Sequence, residues 1–360
     1  MATASAASFK VAAKSMGETS CPELPELLLA EHGGNLFAAR RAYPQAPEPW
    51  LDLSTGVNPY AYPFACPPLE SFTRLPQPDE LRMLEAAARA AYRAPPFAEI
   101  VAAPGSQAII NLLPHLAPAR RVGILGVTYC EHARSWAAGG ADLAVVEDLS
   151  GLEDKDIAIV VNPNNPDGRL VAAADLHALA AVLGKHGGLL IIDEAFVDFL
   201  EPGASAVPDI AESGVVVLRS FGKSYGLPGL RLGFAIAPRR LAEKLRAALG
   251  PWPVSGPAIA IGSTALTDAE WLAATRARLN AGARALDKML AAAGFAFAGG
   301  SPLFRLVRHE DAQGRFERLA SAGILVRRFE ARPAWLRIGI AGSDAGRMRL
   351  CAALGPETRL

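Results

Sequence analysis

Short apolar runs recur along the first two thirds of the chain, separated by longer stretches in which apolar residues return every third or fourth position. Val215–Leu218 and Ile157–Val161 are apolar without interruption, as is Leu189–Ile192, and such runs read as strands buried on both faces. Glu99–Ala103, Arg121–Val127, Leu143–Val146 and Arg231–Ala237 are read as strands beside them. Between them, Glu80–Arg93 carries Leu81, Leu84 and Ala88 on one helical face, with Asp79 placed to cap it. Ala108–Leu116, Glu131–Ala138, Asp175–Lys185 and Arg239–Leu249 complete the helical set. Strands alternating with helices predict an α/β fold with a mostly parallel central sheet. The Pro251-Trp252-Pro253 break marks entry into a smaller α/β domain, with a helix over Asp268–Gly294 and strands over Leu303–Val307, Ile324–Arg327 and Trp335–Ile340. The expected organisation is a tail and arm over 1–46, a large domain over 47–245 and a small domain over 246–360.

With 360 residues and 51% hydrophobic content, the chain can bury a large core. Its 36 basic and 36 acidic residues cancel, so neither nucleic acid nor a membrane surface is expected as a partner, and any anion must be recognised locally. The four cysteines are scattered and the six histidines have no ligand spacing along the sequence, which predicts reduced thiols, a cytoplasmic location and no metal. Residues 1–20 lack an unbroken apolar core and read as a loose tail rather than a signal peptide.

The chemistry concentrates in Ser220-Phe221-Gly222-Lys223-Ser224-Tyr225-Gly226-Leu227-Pro228-Gly229-Leu230-Arg231, directly after a predicted strand. A lysine held among apolar neighbours and other cations loses its proton readily and can form a Schiff base, although most lysines in loops are simply solvated. A phosphate-binding P-loop would need glycine at Val217 and a long helix afterwards, which Pro228 and Gly229 preclude. Gly105-Ser106-Gln107 lies between a strand and a helix start, where free N–H groups and the helix dipole favour an anion. In Asn162-Pro163-Asn164-Asn165-Pro166-Asp167-Gly168, two prolines make a rigid turn that can aim the Asn165 amide. Arg337 stands between Leu336 and Ile338, an odd place for a charge without a task.

Taken in this order, these segments resemble the fold-type I pyridoxal-phosphate (PLP) enzymes, in the branch that contains histidinol-phosphate aminotransferase and the threonine-phosphate decarboxylase of cobalamin biosynthesis. The resemblance implies Lys223 as the cofactor lysine, Asp193 against the pyridine nitrogen, and Tyr129 stacked on the ring. Gly105, Ser106, Gln107, Ser220 and Arg231 are implied at the cofactor phosphate, with Asn165 at its phenolic oxygen. For the substrate it implies His32, Gly33, Asn165, Arg327 and Arg337, the arginines holding its carboxylate and phosphate ends. The His32-Gly33 pair, and Phe196 where aminotransferases carry tyrosine, favour decarboxylation of L-threonine O-3-phosphate. A histidinol-phosphate-type aminotransferase is the alternative, and a catalytically idle PLP-fold binding protein is the reading from another class. A homodimer is implied as well. Gly56 departs from the decarboxylase pattern, where an asparagine touches substrate, and Leu75 replaces a tyrosine that reaches the neighbouring subunit's cofactor phosphate.

Overall fold

The computed structural model describes residues 32–210, 212 and 214–355; the tail expected over 1–20, and Cys21, lie outside them. The first elements are α1 (Leu36–Ala42), β1 (Leu51–Asp52) and α2 (Glu70–Thr73). Helix α3 (Pro78–Tyr92) is capped by Gln77, not by the expected Asp79, and Glu80 returns a bond to the Gln77 N–H at 2.8 Å. Pro78 is the reason: its fixed φ suits the first helical position and it has no N–H to leave unpaired, so the helix begins before Asp79.

The chain then alternates as β2 (Glu99–Ala103), α4 (Ser106–Leu116), β3 (Arg121–Leu125), α5 (Cys130–Ala138), β4 (Asp142–Val146), β5 (Ile157–Val161), α6 (Ala173–Gly184), β6 (Leu189–Asp193) and β7 (Val215–Arg219). After the short α7 (Phe221–Ser224) come β8 (Gly233–Ala237), α8 (Arg239–Leu249), α9 (Gly256–Thr267) and the long α10 (Ala269–Ala292). The seven strands form one sheet in the order β2-β8-β7-β6-β5-β3-β4, parallel except for β8, which runs against both β7 and β2. Side-chain alternation divides each strand between two helix layers. Val215 and Val217 join Leu84, Leu176 and Leu183 on one face, while Val216 and Leu218 join Ile109, Trp136 and Leu245 on the other. Helices cover both faces, so the strands are apolar throughout.

The C-terminal part contains β9 (Ala296–Ser301), β10 (Phe304–Arg308), α11 (Ala312–Ser321), β11 (Ile324–Leu325), β12 (Arg327–Arg328), β13 (Trp335–Gly339) and α12 (Asp344–Leu354). Its antiparallel sheet has the order β12-β13-β10-β9. Strand β9 has no counterpart in the sequence reading, because Gly299 and Gly300 interrupt its alternation. The single strand expected over Ile324–Arg327 is instead two, since Ile324 and Leu325 pair in parallel with β1 while Arg327 pairs across to Arg337 of β13.

The Asn165 turn and this C-terminal sheet touch through bare main chain. Gly300 N donates to Asp167 O at 2.7 Å, and a Cβ on Gly168 would overlap the Gly300 carbonyl. Core membership also bears on the division of the chain: Leu53 packs with the C-terminal core, whereas Ala258, Ile259, Ala265 and Leu266 of α9 pack beneath the large sheet. On that basis we propose dividing the two units near residues 54 and 268 rather than at 46 and 245. Among the described residues, no helix is long and apolar enough to cross a membrane.

Candidate active site

Parallel strands end on one edge of the large sheet, and the loops that follow them carry the polar residues. Gly105, Ser106, Gln107, Tyr129, Asp193, Ser220, Lys223 and Arg231 all line a single cavity of about 180 Å³ at that edge, with Thr55 and Val57 from the segment after β1. Eight of the nine sequence-derived cofactor residues therefore meet in one place, although they span more than a hundred positions, while Asn165 does not line this cavity.

Lys223 is half-buried in the cavity wall. Its Nζ lies 4.5 Å from the centre of the Phe196 ring and 5.5 Å from that of Tyr129. Burial lowers its pKa, and Arg337, Arg327 and Arg231 push the same way, against the opposing pull of Asp193. Its amine is thus biased toward the neutral, nucleophilic form.

Asp193, at the end of β6, accepts from Ala195 N at 3.1 Å through Oδ1, and its Oδ2 is 3.0 Å from His132 Nε2. Burial would raise this carboxyl, but the His132 hydrogen bond and the charges of His132 and Lys223 outweigh it and hold the pKa below the usual value. His132 is wholly buried on α5. The sequence reading missed it, because its partner lies 61 residues away and nothing local marks the pair.

Gly105 has φ +85°, and a Cβ there would stand 2.6 Å from Arg231 Nη2. The missing side chain lets the guanidinium close over the first turn of α4, where the Ser106 and Gln107 N–H groups have no place in the helix ladder. Tyr129 donates its hydroxyl to Gln107 Oε1 at 2.8 Å, and burial followed by the charges of Glu131 and Asp193 raises its pKa, so it stays protonated.

His32, Gly33 and Arg327 lie instead around an adjoining cavity of about 580 Å³, which Ser54, Arg134 and Arg328 also line. The His32 ring on this cavity and the Tyr129 ring on the other lie with their centres 5.7 Å apart. His32 Nε2 is 2.9 Å from Glu131 Oε1, which also accepts from Arg134 at 2.8 Å. Glu131 and Arg134 were absent from the sequence reading. Although no linear spacing suggests it, His32, Cys130 and Glu131 bring possible metal-ligand atoms within 4.8 Å of one another.

Arg337 is buried beside these cavities. It donates to Asn165 Oδ1 at 2.6 Å and to Ser54 O at 2.5 Å, while its Nε has no partner. The bond to Oδ1 leaves Nδ2 as the free donor of the Asn165 amide. Arg327 stands directly opposite Arg337 on the paired strand, and neither has an ion pair among the described residues. Like charges facing each other across strands are destabilising, and burial lowers the pKa of both. Such a pair is set up for an anion. At Gly56, which has φ +66°, a Cβ would stand 3.0 Å from the Phe304 ring, so the Phe304 side chain crowds the space a larger residue would need there.

The sequence pattern of the aminotransferase class I and II family matches residues 70–354. The chain belongs to this family. It is 43% identical over 327 residues to a threonine-phosphate decarboxylase of Sinorhizobium sp, covering 90% of this chain and 97% of that protein. It is 41% identical over 329 residues to a threonine-phosphate decarboxylase of Pseudomonas aeruginosa, covering 91% and 97%. Among solved structures, histidinol-phosphate aminotransferase from Sinorhizobium meliloti in complex with pyridoxal-5'-phosphate superposes with a TM-score of 0.76 at 23% identity, covering 91% of this chain and 95% of that one, a likeness of fold.

The cofactor of this family is PLP, and the residues present fit it. The Gly105–Arg231 cradle suits a phosphate, the half-buried Lys223 amine suits an aldehyde carbon, and the Asp193–His132 pair suits a protonated ring nitrogen.

Proposed function

We propose that this protein decarboxylates L-threonine O-3-phosphate to (R)-1-amino-2-propanol O-2-phosphate, as a step toward cobalamin. The observation that carries the choice of substrate is the facing pair of arginines, Arg337 buried and Arg327 half-buried on the adjoining cavity, neither with an ion-paired carboxylate among the described residues. A substrate with an anion at each end answers both. The near full-length relationship to threonine-phosphate decarboxylases supports the same reading.

Lys223 would bind the cofactor, and Gly105, Ser106, Gln107, Ser220 and Arg231 would hold its phosphate. Tyr129 would cover one ring face, and Asn165 Nδ2 would donate to the phenolic oxygen. When bound, PLP supplies an electron sink conjugated to the substrate's Cα. Asp193, favoured in its ionised form by the His132 hydrogen bond, would hold a proton on the ring nitrogen. Arg337 binds the carboxylate, while Arg327, His32 and the Gly33 main chain orient the phosphate end. The Lys223 amine would be the group placed to carry a proton to the substrate's Cα when carbon dioxide is lost. Phe196 offers no hydroxyl near the lysine, so Asn165 is the remaining donor to the phenolic oxygen.

We further propose that the protein works in the cytoplasm as a homodimer on a small phosphorylated amino acid, without nucleic acid or membrane partners. Leu69, Phe72 and Leu75, close in sequence, are all exposed apolar side chains that a second copy would cover, and sedimentation measures that. Incubation with PLP and O-phosphothreonine tests the reaction: carbon dioxide and the amino alcohol phosphate are expected. Consumption of 2-oxoglutarate with histidinol phosphate, without gas release, would replace this reading by the aminotransferase.

A further inference from the structure

Asp193 and Glu194 are consecutive, as are Lys223 and Ser224. In each pair the first side chain reaches the cofactor cavity and the second turns into the protein, where the two inward residues meet one network. Ser224 Oγ donates to Asp198 Oδ2, Arg219 Nη2 donates to Asp198 Oδ1, and Arg219 Nη1 donates to Glu194 Oε2 at 2.9 Å. Ser205 Oγ and Ala206 N complete Glu194 at 2.6 Å each, and the Tyr92 ring lies 4.2 Å from the Arg219 guanidinium carbon. Glu194, Arg219 and Ser224 are buried. Burial raises the Glu194 carboxyl despite the Arg219 charge.

A buried ionic cluster adds little stability over well-packed apolar residues of the same volume, so its place beneath the cofactor lysine calls for another account. The local chain supplies one. Helix α7 has four residues, too few to hold its own shape, and the bonds from Lys223 N and Ser224 N to Ser220 O are long, at 3.2 and 3.4 Å. Lys223 must therefore be held from outside. Asn58 grips the main chain on one side, through Asn58 N to Lys223 O at 3.0 Å and Asn58 Nδ2 to Ser224 O at 2.9 Å. On the other side the buried Phe221 ring packs into the core against Tyr225, and the only hydrogen bond made by a side chain of α7 among the described residues is that of Ser224 to Asp198.

We infer that Arg219, Asp198 and Ser224 form a strut that fixes the position of Lys223 relative to Asp193. These are positioning residues: they touch neither cofactor nor substrate, and they tie the residue after Asp193 to the residue after Lys223 through one guanidinium. The inference rests on Lys223 being the cofactor lysine. The charged groups that face its amine directly are Asp193, Arg231, Arg327 and Arg337, and none of them belongs to the strut.

The test compares holoenzyme of the wild type, Ser224→Ala and Asp198→Asn. Asp287→Ala, which breaks a remote ion pair with Arg305, serves as the control for general loosening. The pH midpoint of the visible cofactor band is measured without substrate, together with kcat, KM and Tm. Ser224→Ala is expected to move the midpoint and to lower kcat by about 10- to 100-fold with little change in KM, the cost of a misplaced reacting group. Asp198→Asn keeps an acceptor for Ser224 and is expected to fall between Ser224→Ala and the wild type. Asp287→Ala is expected to lower Tm alone. A Ser224→Ala protein with wild-type midpoint and kcat, or an Asp287→Ala protein showing the same changes, overturns the strut. A band that survives Lys223→Ala overturns the cofactor reading itself, and the strut with it.

Discussion

Replacing Arg337 by methionine separates the work of this residue from its contribution to the fold. Arg337 is buried, with Arg327 opposite and no carboxylate partner, so its charge is a cost in the substrate-free protein, on the order of several kcal/mol. Against that, the substitution orphans Asn165 Oδ1 and Ser54 O, at about 1–3 kcal/mol each. The two effects are of similar size and opposite sign, so Tm should shift by only a few degrees, at about 1–2 °C per kcal/mol for a chain of 360 residues. Substrate binding has no such compensation. Losing a buried charge-assisted contact to the carboxylate costs about 2–5 kcal/mol, which lowers kcat/KM roughly 30- to 5,000-fold. The assay is steady-state carbon dioxide release from O-phosphothreonine, with thermal unfolding in parallel. Inhibition by 1-amino-2-propanol O-2-phosphate supplies the internal control: it has the phosphate but no carboxylate, so its affinity should change far less. If Arg337→Met keeps kcat/KM close to the wild-type value, or weakens binding of the product as much as that of the substrate, the carboxylate role is wrong.

Lys223→Ala should abolish both the visible cofactor band and turnover, read by absorbance and gas release. Gly105→Ala forces a side chain into a left-handed backbone and against Arg231, and should weaken PLP binding about tenfold or more, measured by cofactor titration of the apoprotein. His132→Asn removes the main influence holding the Asp193 pKa down, so burial will raise it. In the wild type the Asp193 charge is present above its depressed pKa and lost as pH falls through it; in the variant that loss should begin at higher pH, moving the acid limb of the kcat profile toward neutrality. The linked stability of the apoprotein should shift in the same direction, measured as Tm against pH.

Much of this site was legible because its residues sit at strand ends, where short apolar runs point them out. Asp193 closes β6, Lys223 follows β7 and Gly105 follows β2, so locating the strands located the chemistry. What stayed hidden were partnerships across the fold. His132 reads locally as one more histidine on a helix, and Glu131 as a helix-opening acid, until β6 and the His32 segment are folded against them. The facing of Arg327 and Arg337 depends on antiparallel register between segments that the sequence reads as separate strands, and register leaves no trace in composition. Strand β9 was hidden because its two glycines carry no side chains to alternate. The reversed direction of β8 was equally invisible, since a strand buried on both faces reads the same in either orientation.

The abutment of Gly300 on the Asp167–Gly168 main chain has a mechanical consequence. Side chains at a joint can rotate and absorb movement, but a carbonyl pressed against a bare Cα has nothing to yield. Any tilt of the sheet bearing Arg337 would therefore pass to the turn that aims Asn165, so the arginine proposed for the carboxylate and the amide proposed for the cofactor's oxygen are joined through main chain.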